Sequence, residues 1–148
     1  PQLFLGLAFS WGIIMVSAAE LNQINHISLV LFVSCFFWFL AYDTAYAMSD
    51  KEDDIKVGLK SSALTFGNKV VHFFISFHLI ALGVWSWLGY HLNLHPLFFL
   101  SSLSWAVLII YQYKLIRNYD RYRCFLAFKN NNWVGFSLFI GSCLGTSL

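Results

Sequence analysis

Uncharged apolar runs alternate with short polar segments along the whole chain, and their lengths predict helices that cross a membrane. Pro1 to Ala19 carries no charge and falls within the roughly 17–25 residues that span a bilayer. Glu20 to His26 (ELNQINH) reads as a polar turn. Ile27 to Tyr42 is apolar again, with its helix expected to continue through Met48, and Ser49 to Asn68 reads as a charged loop. Val70 to Tyr113 then has no Asp, Glu, Lys or Arg for 44 residues. That is too long for one span and suits two, broken near Gly89 to Pro96 (GYHLNLHP), where glycine, asparagine and proline punctuate. Lys114 to Lys129 reads as a second, basic loop. Asn130 to Leu148 is a final uncharged run of 19 residues, with an asparagine among Asn130 to Asn132 as its expected cap. The expected fold class is all-α, a polytopic transmembrane helical bundle of five spans.

Composition removes the soluble alternatives. Of 148 residues, 59% are hydrophobic and only 11% charged, against about 25% charged in soluble domains. The nine basic residues all lie between Lys51 and Lys69 or between Lys114 and Lys129. Two spans separate those segments, so they share one side, which the positive-inside rule makes cytoplasmic, or the matrix or stromal side in an organelle. Trp11, Trp87, Tyr90 and Trp133 are expected in the interfacial belts. Cys35, Cys124 and Cys143 have no CxxC or metal-ligand spacing, and Cys35 and Cys143 are expected to be buried in spans. No P-loop, repeat or nucleic-acid signature is present. The chain starts at Pro1 and is expected to be part of a longer one.

Charge patterning singles out Tyr42 to Gly67, which holds five of the seven acidic residues. With the helix extended past Tyr42 at 100° per residue, Asp43, Asp50 and Asp54 fall within about 40° of one another, Tyr46 flanks them, Asp53 lies about 60° from Asp50, and Glu52 points away. A column of like charges needs a counter-ion. Carboxylate oxygens suit Mg²⁺, which completes its shell with water and substrate phosphate. Lys56 and Lys60 follow as donors to such a phosphate, and Gly58 offers the turn that brings Lys60 back. An acidic-basic loop between spans is ordinarily a solvated connector. Against that, Asp43 lies one or two turns deeper than Asp50, and ionisable residues at membrane depth mark function.

The run Tyr42-Asp43-Thr44, Tyr46-Ala47-Met48, Asp50, Asp53-Asp54, Gly58, Lys60-Ser61 resembles the second aspartate-rich motif of the UbiA superfamily of membrane prenyltransferases. Its detailed form resembles the 4-hydroxybenzoate polyprenyltransferase group of ubiquinone biosynthesis. So do Pro1-Gln2, Tyr111-Gln112, Lys114-Leu115-Ile116, Cys124-Phe125, Ala127-Phe128, Asn131-Asn132 and Val134-Gly135, and the likeness covers essentially all of the chain. That group often has threonine where Ser62 stands here. The family's first aspartate-rich motif, NDxxDxxxD, has no counterpart in these residues.

The resemblance implies that the five spans are the last five of about nine and that residues 1–148 are the C-terminal part of one domain, inactive without the N-terminal half. It implies Mg²⁺ bridging the two motifs and a polyprenyl diphosphate, ionisation to an allylic cation, and attack by the ring of 4-hydroxybenzoate. Matched onto this sequence, Asp50 and Asp54 are the metal ligands, Asp53 a further or outer one, Lys60 and Lys56 diphosphate donors, and Asp43 and Tyr46 lining residues of the reaction chamber. The implied location is the bacterial inner membrane, or the mitochondrial one, with the acidic motif facing the cytoplasm. Two other classes remain at this stage. A CDP-alcohol phosphotransferase also uses a membrane DxxxD, but needs an arginine-bearing DGxxAR segment that the surroundings of Asp43 lack. A cation transporter would place charges deep in several spans.

Overall fold

The computed structural model describes residues 1–147. Helix α1 (Gln2–Leu21) ends where Asn22 turns left-handed at φ 52°. Helix α2 (His26–Ser49) is opened by Asn25, whose side chain accepts the Ser28 N–H at 2.8 Å. Two short helices follow, α3 (Lys51–Val57) and α4 (Ser62–Phe66), where a loop was expected. A 3-10 turn (Gly67–Lys69) leads into α5 (Val70–His91). The break falls where glycine, asparagine and proline predicted it, with Pro96 opening a 3-10 turn (Pro96–Phe98) before α6 (Phe99–Ile116). Helix α7 runs from Arg121 to Thr146.

Four stretches are long and apolar enough to cross a membrane: Gln2–Leu21, His26–Ser49, Ser62–His91 and Pro96–Ile116. The expected fifth span is the later part of α7, which begins nine residues before Asn130. Most of the expected basic loop is therefore helix, and only residues 117–120 are not. The cap is Asp120, which accepts the Arg123 N–H at 2.8 Å, rather than an asparagine. Arg121, Arg123, Lys129 and three asparagines make the first half of α7 too polar for a span, so four spans replace five by that measure. Leu148 lies outside the described residues. Trp87 and Tyr90 end α5 as expected, whereas Trp11 and Trp133 sit mid-helix. Cys143 is exposed on α7 rather than buried.

The helices close a ring. Helix α2 packs on α5, α5 on α6, α6 on α7, and α7 back on α2, while α1 lies outside the ring against α2. Small residues let α2 approach its neighbours: Ala41 and Ala45 are fully buried and Ala47 nearly so. At one end, Ala45, Met48, Val70, Phe74, Ile116 and Cys124 form a buried cluster. Deeper, Ala81, Trp85, Trp105, Val134 and Leu138 form another around Phe98. Phe98 sits in a cradle of glycines. A methyl group on Gly89 would strike its ring, one on Gly145 would meet its Cβ at 2.9 Å, and one on Gly141 would meet Ser101 Cβ at 2.5 Å and the Phe98 carbonyl oxygen at 3.2 Å.

Both basic segments lie at the same end of this ring. Tyr119 donates its hydroxyl to the Asn68 carbonyl at 3.0 Å, and Arg121 reaches Asp53. The polar turns that lack Lys and Arg meet at the other end, where the His26 and His91 rings are 6.3 Å apart.

Candidate functional site

The acidic stretch begins inside α2 and crosses a bend. Asp50 has φ −97° and ψ 4°, which ends α2 and starts α3. Its N–H still donates to the Tyr46 carbonyl at 3.1 Å, and its own carbonyl accepts from Asp53 and Asp54 at 2.9 Å each. The straight helix behind the expected column is thus two helices meeting at one of its acids. Gly58 then adopts φ 72°, a left-handed turn that suits glycine. Leu59 N–H closes it by donating to the Asp54 carbonyl at 2.9 Å.

After that turn the chain is tied to two other helices. Gln2 of α1 accepts the Ser62 N–H at 2.8 Å, capping α4 with a side chain from elsewhere in the fold. Ser62 donates its hydroxyl to Thr44 Oγ1 at 3.1 Å, and Thr44 in turn donates to the Leu40 carbonyl at 2.6 Å. Gln2 and Thr44 thus anchor the segment that carries Lys60. Thr44 and Ser62 stood within or beside the sequence motif, but nothing there signalled that they touch.

The acids have different surroundings. Asp43 is buried on α2 and makes no ion pair among the described residues. Asp53 is held by two cations: Lys56 Nζ at 2.9 Å and Arg121 at 2.7 Å. Those two hydrogen bonds, from Lys56 first and then Arg121, hold the Asp53 carboxyl below the usual carboxylate range. Arg121 is also 3.9 Å from Asp50, which takes a 3.4 Å contact from Ser49 Oγ and has the Tyr46 hydroxyl as a neighbour. Asp54 and Lys60 have no ion pair among the described residues. Arg121, read from the sequence as part of a basic loop that sets topology, is therefore a direct partner of the acidic stretch. It lies 68 positions from Asp53, so sequence spacing gave no sign of it.

Among the described residues no three carboxylate, imidazole or thiol side chains gather closely enough to hold a metal ion. The donor chemistry nevertheless sorts the acids. Asp50 and Asp54, oxygen donors one helical turn apart and free of close ion pairs, fit one side of a hard divalent cation's shell. Asp53, already neutralised by two cations, does not fit in this arrangement.

An aromatic track leads down from these acids. Tyr46 packs on Phe128 at 5.1 Å and on Phe125 at 6.4 Å between ring centroids. Tyr42 packs on Phe128 at 5.6 Å and on Trp38 at 5.9 Å. Trp38, Tyr42 and Tyr46 follow one another at intervals of four along α2, each about 6 Å further along the axis. The track opens into a cleft of about 400 Å³ between α2 and α7, lined by Trp38, Phe39, Tyr42, Phe128, Asn131 and Gly135.

Comparison with known proteins gives this geometry a family. Residues 1–140 match the UbiA prenyltransferase family. A protein of Marinobacter nauticus named 4-hydroxybenzoate octaprenyltransferase is 42% identical over 97% of this chain and 49% of its own length. Proteins of the same name from Vibrio vulnificus and Paraburkholderia xenovorans are 44% and 43% identical, each over 95% of this chain and about half of their own length. The chain spans about half the length of the curated relatives it matches. No solved structure matches. A family match over nearly all of these residues, on an all-helical bundle with apolar spans and an acidic motif at one end, leaves one conclusion: the chain belongs to the UbiA prenyltransferase family of membrane proteins.

Proposed function

We propose that residues 1–148 are the C-terminal part of a single transmembrane prenyltransferase domain. The complete protein would transfer a polyprenyl group from polyprenyl diphosphate to the ring of 4-hydroxybenzoate, in ubiquinone biosynthesis. The observation that carries this reading is the pairing of two carboxylates, Asp50 with only a 3.9 Å contact to Arg121 and Asp54 with no ion pair among the described residues, with an aromatic track that runs from them into the bundle. One end suits a metal-bound diphosphate and the other a hydrocarbon chain. The shared name of the relatives supports the acceptor.

Asp50 and Asp54 are assigned to Mg²⁺, with partner ligands from the N-terminal half. The bound ion supplies charge neutralisation to the departing diphosphate, a Lewis-acid role. Lys60, two residues before the Ser62 that Gln2 and Thr44 anchor, is assigned to the diphosphate oxygens, as is Lys56, which is engaged with Asp53. Asp43 and Tyr46 are assigned to the wall of the reaction chamber. Ring faces of Tyr46, Tyr42 and Phe128 favour positive charge on an allylic carbon by about 0.5–2 kcal/mol each. The acidic end is assigned to the cytoplasmic side of a bacterial inner membrane, on the strength of the two basic segments beside it, with the mitochondrial inner membrane as the second reading. The fragment by itself is expected to be inactive, because it brings one acidic motif to a reaction that takes two.

The test uses membranes containing the complete parent protein, given polyprenyl diphosphate and 4-hydroxybenzoate with and without Mg²⁺. Ring-prenylated acid formed only with Mg²⁺ is the expected result. Bound donor without product would move the acceptor assignment elsewhere. In the same assay Lys60→Ala should raise KM for the donor about tenfold, the scale of one charge-assisted hydrogen bond. An unchanged donor KM would remove Lys60 from the site.

A further inference from the structure

Buried amides stand out in a bundle made mostly of apolar residues. Gln112 of α6 and Asn131 of α7 are buried inside the ring. Asn131 is their node. Its Nδ2 donates to Gln112 Oε1 at 3.3 Å and to the Ala127 carbonyl at 3.0 Å, while its Oδ1 accepts the Trp38 indole N–H at 3.0 Å. Gln112 donates onward to Asn130 Oδ1 at 3.0 Å. An indole can only donate, so it fixes which way the Asn131 amide faces. Three helices, α2, α6 and α7, meet through this one side chain.

The network ends on the ring that closes the cleft. Trp38 is held at its nitrogen by Asn131 and backed by Trp105 edge-on at 5.9 Å. Trp105 is itself held by a 3.1 Å hydrogen bond to His78 Nδ1. Across the cleft, Gly135 lets α7 come so close that a methyl group there would meet the indole at 3.2 Å. Trp38 therefore has one position, at the far end of the aromatic track. Twelve residues separate it from Asp50, about 18 Å along a helix. Helix association alone would explain buried amides in a membrane bundle. It does not explain why the node binds a ring that itself lines the cleft, packed there on Tyr42 and Phe39.

We infer that Asn131, backed by Gln112, is a positioning residue that fixes the Trp38 indole as a rigid wall against which the isoprene units beyond the reacting one are laid. The inference rests on the prenyltransferase reading and deepens it: the ligand of this wall is the unsaturated hydrocarbon tail of the donor, not its diphosphate. A donor with a single isoprene unit ends well short of Trp38, whereas a long donor passes it.

The complete protein is assayed with a one-isoprene donor, dimethylallyl diphosphate, and with a long polyprenyl diphosphate, in membranes matched for inserted protein. Asn131→Leu should lower the ratio of kcat/KM for the long donor to that for the short one about tenfold, the scale of one buried hydrogen bond, and mainly through KM. Trp38→Phe, which keeps a ring but loses the donor N–H, should give the same change. The double variant should be no worse than either single one, the signature of residues acting as a pair. Equal losses on both donors would make the network structural only and overturn the inference, as would an unchanged ratio. A wild-type protein that turns over neither donor would instead overturn the prenyltransferase reading, and this inference with it.

Discussion

Asp50→Asn or Asp54→Asn in the complete protein should abolish prenyl transfer while leaving membrane insertion intact. Each change keeps the shape of the side chain and removes one negative charge. Neither carboxylate is held in a close ion pair, and an asparagine oxygen at position 50 can still accept from Ser49 and Tyr46. Losing a metal ligand costs several kcal/mol of transition-state stabilisation, which corresponds to a drop of about a thousandfold or more in turnover. Glu52→Gln is the internal control. Its charge lies in the same stretch, two residues from Asp50 and Asp54, but helical phase along α3 turns it about 160° away from Asp54, and its effect should be mild. Full activity in both Asp50→Asn and Asp54→Asn would remove them from the metal site, and total loss in Glu52→Gln would end the division of faces.

The second large effect is on folding. Gly89→Ala and Gly141→Ala each put a methyl group where there is no room. At Gly89 it strikes the Phe98 ring, which is 2% exposed and stacked on Trp85 at 4.9 Å. At Gly141 it meets Ser101, whose hydroxyl donates to the Phe98 carbonyl at 2.6 Å and accepts from Trp85 at 3.1 Å. Neither neighbour can swing aside without giving up its own contacts. Overpacking of this kind costs about 1–3 kcal/mol. Both variants should lower the thermal midpoint of the detergent-solubilised protein by several degrees. Gly83→Ala, in the same helix as Gly89 with nothing within 4 Å of its added methyl, should leave the midpoint unchanged or raise it. Equal midpoints across all three would mean that the Phe98 cradle carries no packing constraint.

The apolar runs made the helical bundle legible, because a bilayer leaves few alternatives to helices of that length. The Tyr42 to Gly67 stretch stood out as the candidate site because charges are costly near a membrane, so their concentration in one place is informative. What sequence did not reveal depends on contacts between distant positions. Helix α7 starts at Arg121 rather than at the apolar run because Asp120 caps it and Asp53 receives the charge of Arg121. The even column of acids gave way to a bend at Asp50. Asn131 had read only as one of three asparagines at the start of the last span, yet its partners Trp38 and Gln112 lie 93 and 19 positions away. Periodicity along one helix cannot register any of these.

The ring of α2, α5, α6 and α7 also sets an order of events during synthesis. Helix α2 leaves the ribosome before α5 and α6, and α7 follows them. The cleft is bounded by α2 and α7, so it does not exist until the last of these four helices is in place. Until then Trp38, Tyr42 and Tyr46 lack their α7 partners, Asn131 to hold the indole and Phe128 to cover the tyrosines. A nascent chain that ends before α7 therefore has only one side of the cleft. A chain cut before Arg121 would insert α1, α2, α5 and α6 yet never form the cleft.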